Sequence, residues 1–301
     1  MAVKEGPRMG KGEPSVLVVG AGVGGIRAAL DLAEMGYRVL LIDSSPAIGG
    51  ILSQLDYQFP NNHCGMCRML PIIGRESASE FCMRKALFHD NIEILPFTEM
   101  KAVSGEPGAF QVLLVRKARQ VDTERCIGCG KCVEVCPVTV PDEFNLGLSF
   151  RKAVYRPVPQ NLPNTYLIDR DHCTKCGQCM LQCPTQAIDL FLIDSQVSVE
   201  VGAIILAGGS GLFDPAPFQD LYGYGTNPHV VTSLQFERIL SSLGPTEGRL
   251  IRPADGKPLE KVAWLQCVGS RNLHLGRDFC SSVCCMFALK EAVLVREASL
   301  G

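Results

Sequence analysis

The chain has little that would tie it to a membrane, to nucleic acid or to an oxidising compartment. No apolar run approaches the roughly 20 residues that a bilayer-spanning helix needs, so no direct membrane span is expected. With 29 Lys and Arg against 31 Asp and Glu, the formal net charge is −2, which gives no electrostatic reason to bind nucleic acid or an anionic surface. Residues 1–14, MAVKEGPRMGKGEP, are polar and rich in Gly and Pro, without the apolar core of a secretion signal. They read as a flexible lead-in to a cytoplasmic protein. His89, His172, His229 and His274 show no metal-ligand spacing, and nothing resembles a hydrolytic triad.

What the chain has in excess is cysteine, 15 in 301 residues. An odd count without an export signal argues against a disulfide framework and for metal or redox chemistry in a reducing compartment. The positions fall into four groups: Cys64, Cys67 and Cys82; Cys126, Cys129, Cys132 and Cys136; Cys173, Cys176, Cys179 and Cys183; and Cys267, Cys280, Cys284 and Cys285. Three of the groups hold four thiols, the number that one cubane iron–sulfur cluster takes.

Near the N-terminus an apolar run, Val16 to Val19, turns through Gly20-Ala21-Gly22-Val23-Gly24-Gly25 into a helical pattern. A second apolar run, Val39 to Ile42, ends on Asp43. This is the dinucleotide fingerprint in its strand–turn–helix–strand context. Gly20 makes the tight turn, Gly22 lets a pyrophosphate approach the backbone, and Gly25 lets the helix pack on the strand. Asp43 accepts from a ribose hydroxyl, and the helix N-terminus faces the phosphates. The fingerprint alone leaves NAD and FAD open. Gly49-Gly50 follows Asp43, and a later strand, Ala203 to Leu206, runs into Ala207-Gly208-Gly209. Both features resemble the two-dinucleotide-binding flavoproteins, thioredoxin reductase and its relatives, and that likeness implies FAD in the first fingerprint. Gly208 stands where those proteins usually carry threonine.

CIGCGKCVEVCP and CTKCGQCMLQCP are both C-x2-C-x2-C-x3-C-P, and each cysteine of the second lies 47 residues after its counterpart. In such pairs three cysteines of a run bind one cluster and the fourth crosses to the other. Cys126, Cys129, Cys132 and Cys183 are therefore expected to hold one [4Fe–4S] cluster, and Cys173, Cys176, Cys179 and Cys136 a second. Zinc, the alternative, prefers paired C-x-x-C motifs. Strand-like segments flank the module on both sides, so the ferredoxin reads as inserted within the flavoprotein domain. The stretch RPVPQNLPNTYLID between the two runs is long for a ferredoxin linker and is a candidate docking surface.

KVAWLQCVGSRNLHLGRDFCSSVCCMFALK reads as a strand, Val262 to Leu265, a loop, and a helix opening with Cys280, Cys284 and Cys285, the first two sharing a face. Cys267 at the strand's end could close a four-sulfur set; inert buried thiols are the alternative. The pattern C-V-G-S-R with a cysteine thirteen residues after the first, then C-S-x-V-C-C-M, resembles the A subunit of heterodisulfide reductase. FPNNHCGMC, PVTVPDEFNLGLSFRKAVYRPVPQNLP and YGYGTNPHVVTSLQFERILSSLGPTEG resemble the same family.

That resemblance implies a flavoprotein passing electrons between a two-electron donor and iron–sulfur partners, in some members by flavin-based bifurcation. It implies that Cys267, Cys280, Cys284 and Cys285 ligate an unusual cluster near the flavin, and that Lys290 lies near the flavin ring; an exposed helical lysine is the alternative for Lys290. Cys64, Cys67 and Cys82 fall one ligand short of a further cluster, which His63 or a partner's cysteine could complete. Implied partners are other subunits of a heterodisulfide reductase-like complex, and hydrogenase, formate dehydrogenase or ferredoxin, in an oligomer. The competing readings are a non-catalytic ferredoxin-type conduit, a scaffold role within a complex, and a quinone-linked relative from sulfate reduction.

The expected architecture is α/β: an FAD-binding Rossmann-like domain (15–121 and 193–258), an inserted α+β two-cluster ferredoxin domain (122–192), and the start of a second nucleotide-like domain (259–301). A lone strand–helix pair cannot bury its own faces, so the rest of that last domain is expected from a longer chain or a partner.

Overall fold

The computed structural model describes residues 15–55, 89–158, 163–252 and 254–299. The expected sites at His63, Cys64, Cys67 and Cys82 lie outside the described residues. The chain divides into two compact units, one holding 15–53, 89–140, 150–158 and 163–209, the other 54–55, 141–149, 210–252 and 254–299.

The first unit is built on a parallel sheet. Strands β1 (Ser15–Val19), β2 (Arg38–Asp43), β3 (Ile92–Pro96) and β9 (Ala203–Leu206) stand in the order β9-β1-β2-β3, with helix α1 (Val23–Glu34) crossing from β1 to β2. The apolar runs are continuous because both faces of the sheet are covered. Val16, Val18, Val39 and Leu41 point to one side and pack under Ile26, Ala29, Leu30 and Ala33 of α1. Leu17, Leu40 and Ile42, one residue out of phase, point to the other. There they meet Val112, Leu114, Val199 and Val201 from an antiparallel sheet of β4 (Thr98–Glu106), β5 (Ala109–Arg116) and β8 (Ser195–Val201). Helix α1 ends in a paired-hydrogen-bond stop, Gly36 N–H to Ala33 O and Tyr37 N–H to Leu32 O, with Gly36 at φ +91°.

The ferredoxin leaves this sheet from β5 and returns into β8, whose residues Arg116 and Ser195 are direct partners across the ladder. Its two legs stay zipped: the amide of Ala118 donates to the Asp194 carboxylate, Asp189 N–H to Gln120 O, and Asp122 N–H to Ala187 O. Within it, α2 (Lys131–Glu134) and α3 (Gln178–Gln182) repeat each other, and β6 (Val154–Tyr155) pairs with β7 (Leu167–Ile168). The sequence expectation of an insertion therefore holds.

In the second unit, α4 (Ser233–Leu240) starts at a reciprocal cap in which Thr232 and Gln235 each bond the other's backbone N–H. It packs on α5 (Cys284–Ser299) through charged residues. Arg238 donates to Asn145 Oδ1 and to the carbonyls of Gln54 and Leu243, and lies over the Phe144 ring. Lys290 pairs with Glu237 at 2.7 Å, and the Trp264 indole donates to Glu291 at 2.7 Å. The expected strand at Val262–Leu265 does not form; residues 261–267 have no regular structure. A strand needs a neighbour to take its backbone hydrogen bonds, and no described strand runs beside it.

Two predictions test this packing. A Cβ on Gly25 would fall 1.8 Å from the Gly20 carbonyl oxygen, whereas one on Gly24 meets nothing within 4 Å. Gly25→Ala should lower the thermal midpoint by the equivalent of about 1–3 kcal/mol, and Gly24→Ala should leave it equal or raise it; equal losses would contradict the assignment of close contact to Gly25 alone. The second concerns Glu291: burial pushes its carboxyl up to about 8, the Glu237 charge adds to this, and the Trp264 N–H and Lys290 act against it. A carboxyl raised in the folded state stabilises below its ordinary value of 4.5 and loses that contribution as pH rises toward 8. The midpoint of Glu291→Gln relative to wild type should therefore climb across that interval, and a pH-independent difference would refute it.

Candidate functional site

The glycine turn is assembled by backbone contact. Gly20, at φ +105°, donates its N–H to Ile42 O, and a Cβ there would sit 2.2 Å from Ala207 O. Only glycine fits between β1 and the Ala207-Gly208-Gly209 segment. Asp43 accepts from Ala21 N–H at 2.6 Å and from Ser45 N–H at 2.7 Å, so its carboxylate is locked against the turn. The Gly49 amide donates to Ala21 O, and a Cβ on Gly50 would lie 3.2 Å from Gly22 Cα. The doublet thus folds back onto the turn, and all three expected pieces meet. Cβ atoms on Gly22, Gly24, Gly208 and Gly209 would meet nothing within 4 Å, leaving the face of the loop open. No side chain caps α1 at Gly22, so its first-turn N–H groups are available to a phosphate. The residues present fit a dinucleotide.

The eight ferredoxin cysteines line two hollows, four to each. Cys126, Cys129, Cys132 and Cys183 line one; Cys136, Cys173, Cys176 and Cys179 line the other. The hollows thus group Cys183 with the first run and Cys136 with the second. Left-handed residues recur at matched positions: Gly128 and Lys175 at φ +67° and +53°, Gly130 and Gly177 at +86° and +77°. Such turns direct successive N–H groups inward as an anion-binding concavity, and the Lys175 amide donates to Cys173 Sγ at 3.4 Å. The role of Lys175 was invisible in the sequence, where only its alignment with Gly128 across the repeat hints at it.

Burial pushes the Cys132 thiol up to about 12 and raises Cys179, with neighbouring thiolates adding to both. Cys183 goes the other way: burial opposes ionisation, but bonds from Ala187 N–H, the Thr185 hydroxyl and nearby amides outweigh it. Four mutually repelling sulfurs around a hollow require a cation or a cluster to ionise together. Among the described residues no three Cys, His, Asp or Glu side chains converge as a single metal ion needs; a cubane instead takes each sulfur at a separate corner. The hollows fit iron–sulfur clusters.

The last four cysteines are arranged otherwise than their spacing suggested. Helix α5 begins at Cys284, so Cys280 lies before the helix and not on its first turn. Ser282 at φ +64° breaks the helical path between them. Cys280 is returned to Cys267 by a tight loop: Arg271 N–H bonds Phe279 O, Asn272 and Arg277 exchange backbone bonds, and Asn272 Oδ1 caps the turn at His274 and Leu275. Cys267 itself has φ +61°, and a Cβ on Gly269 would run into the Phe213 ring at 2.2 Å. The neighbouring Ser281 hydroxyl and Cys267 amide lower the pKa of Cys284 against some burial. The Cys284 charge raises Cys285, with Cys267 and Cys280 contributing. Cys267, Cys280 and Cys284 thus all lie within electrostatic range of Cys285. Arg271, 3.9 Å from Cys267 Sγ, is an addition to the expected set. Lys290 is 5% exposed, so the exposed-lysine alternative does not hold.

Known proteins share these features. A family model described as FAD dependent oxidoreductase matches residues 15–104, and models of the 4Fe-4S dicluster domain match 125–188 and 79–140. An iron-sulfur A subunit of CoB–CoM heterodisulfide reductase from Methanopyrus kandleri, the form numbered 2, is 48% identical over 93% of this chain and 41% of its own. The A subunit of the H(2)/formate:CoB-CoM heterodisulfide,ferredoxin reductase of Methanococcus maripaludis is 45% identical over 94% of this chain and 42% of its own. The A subunit of the ferredoxin:CoB-CoM heterodisulfide reductase of Methanosarcina mazei is 41% identical over 97% and 35%. The chain spans about two fifths of the length of the curated relatives it matches. Over the residues present, the chain is similar to the A subunits of heterodisulfide reductases at 41–48% identity.

Proposed function

We propose that this chain is an FAD- and [4Fe–4S]-dependent electron-transfer oxidoreductase subunit, passing electrons between a two-electron donor and iron–sulfur partners. The observation that carries the reading is the sorting of eight cysteines into two crossed four-sulfur hollows within the same compact unit as the glycine turn. FAD exchanges electrons in pairs and can release them singly, whereas a [4Fe–4S] cluster carries one at a time. In this reading Gly22 and the α1 N-terminus receive the pyrophosphate, and the fixed Asp43 carboxylate, with one amide on each oxygen, keeps lone pairs to accept from the ribose. Cys267, Cys280, Cys284 and Cys285 hold a third cluster, with Arg271 against Cys267. By family resemblance Lys290 acts at the flavin ring, and the ion pair with Glu237 orients it. Cys64, Cys67 and Cys82 are assigned to a fourth cluster completed from elsewhere.

The relatives' names include heterodisulfide reductases linked to ferredoxin, hydrogen or formate, and the proposed partners are the other subunits of such a complex together with a hydrogenase, a formate dehydrogenase or a ferredoxin. No described helix is long and apolar enough to cross a membrane, and a cytoplasmic location is part of the proposal.

Anaerobic purification with iron, sulfide and flavin quantified per chain tests the reading. About twelve irons and one FAD are expected for three clusters, and about sixteen irons if the fourth site fills. Clusters without flavin would favour a bare electron conduit and overturn the oxidoreductase assignment. Asp43→Ala removes a charge-assisted bond worth about 1.5–3 kcal/mol and should weaken flavin retention roughly ten- to a hundredfold with iron unchanged. Undiminished flavin in that variant would contradict the role of Asp43.

A further inference from the structure

The two halves of the ferredoxin insert repeat in sequence but differ in surroundings. The hollow of Cys136, Cys173, Cys176 and Cys179 is walled by apolar side chains, among them Val138, Ala153, Val154, Ile168 and Leu190. Arg151, in the same insert, is neutralised by Asp169 at 2.9 Å and stacked on the Tyr155 ring. The hollow of Cys126, Cys129, Cys132 and Cys183 has apolar walls too, from Val121, Ile127, Ala187 and Ile188, but adds polar and cationic neighbours. Arg156 donates to Gly128 O at 2.7 Å, inside the first run, and lies 4.9 Å from the centre of the Tyr166 ring that lines the hollow. Arg119 reaches from Pro46 O, in the loop that follows Asp43, to within electrostatic range of Cys126. Its Nε and Nη2 are buried without a partner among the described residues. Cys183 accepts from Ala187 N–H at 3.3 Å and lies 3.7 Å from the Thr185 hydroxyl. The exposed lysines, Lys131 in one run and Lys175 in the other, offset each other and are screened by solvent.

Reduction adds one electron and one negative charge to a cluster. Buried cations and hydrogen bonds to sulfur stabilise the reduced form more than the oxidised one, and an apolar wall does the opposite. We propose that Arg119, Arg156 and Tyr166 set the cluster of Cys126, Cys129, Cys132 and Cys183 at the higher reduction potential of the pair. A single electron in the insert then rests on the cluster at the flavin-loop side, and the cluster of Cys136, Cys173, Cys176 and Cys179 is its lower-potential donor. This inference rests on the cluster reading above and adds a direction to it.

The test is an EPR-monitored potentiometric titration of the full chain, purified anaerobically, with dithionite as reductant and iron and flavin counted first. Arg156→Gln should move one ferredoxin step to lower potential and Arg156→Lys should restore it. Tyr166→Phe, which keeps the ring under the guanidinium, should move the same step less. Thr174→Arg places a cation at the other hollow, which Thr174 lines, and should raise a second step that lies below the first. If Arg156→Gln moves the lower step, both steps or neither, the proposal is wrong. A preparation without clusters would instead sink the cluster reading itself, whereas two loaded clusters of equal potential would overturn only the direction inferred from their surroundings.

Discussion

The parallel pairing of β1 with β9 is the contact on which the first unit depends. It joins Val16–Val19 to Ala203–Leu206, with the entire ferredoxin between them in the chain. The pairing demands that backbone approach backbone without side chains, and so Gly20 lies against Ala207 and Gly25 against Gly20. Closing that seam brings the Ala207-Gly208-Gly209 segment to the glycine turn. It also returns β8 to β5, so that the insert leaves and re-enters at opposed residues, Arg116 and Ser195. A module hung from one residue pair and zipped along its legs cannot swing far from the sheet that carries the nucleotide loop. For electron transfer, where a fixed path is needed, this is a more useful attachment than a terminal linker.

The second constraint is sulfur desolvation. Cys132 and Cys179 are among the buried residues of the ferredoxin core, where thiols resist ionisation. In the proposed ligand role, binding energy offsets the cost of ionising them together. Around the last four cysteines the balance differs. Cys280 and Cys285 are exposed and Cys267 and Cys284 half-buried, and ionisation there is governed by hydrogen bonds and by the thiols themselves. The backbone is held in left-handed turns at Cys267, Arg271 and Ser282. Strain of about 1–3 kcal/mol per such residue is the kind retained at functional sites.

Much of this was legible in the residues. The glycine turn, Asp43, the Gly49-Gly50 doublet and the returning strand were readable because each imposes a local backbone demand that a few residue types satisfy. The grouping of Cys183 with the first run and Cys136 with the second was readable from spacing, since three closely spaced cysteines can reach three corners of one cluster while the fourth is carried away from it. What was misread lies in the second unit. Val262–Leu265 has a strand's composition, but pairing is a property of neighbours, and none of the described strands supplies it. Cys280 was placed on a helix by its i, i+4 spacing to Cys284, and Ser282 and the Asn272 turn override that period. The buried quartet of Glu237, Arg238, Lys290 and Glu291 left no trace in composition or hydropathy, because charged residues on a helix read as solvent-facing until their partners are known.

The central claim is the crossing of Cys136 and Cys183 between the two runs, since it makes the insert one electron path and not two separate metal knots. The most direct test compares the EPR spectra of the reduced full chain carrying Cys183→Ser, Cys129→Ser or Cys176→Ser. Cys183→Ser is predicted to perturb the same cluster signal as Cys129→Ser and to leave the one altered by Cys176→Ser intact. If Cys183→Ser instead perturbs the signal that Cys176→Ser alters, each run binds its own cluster and the crossed assignment is contradicted.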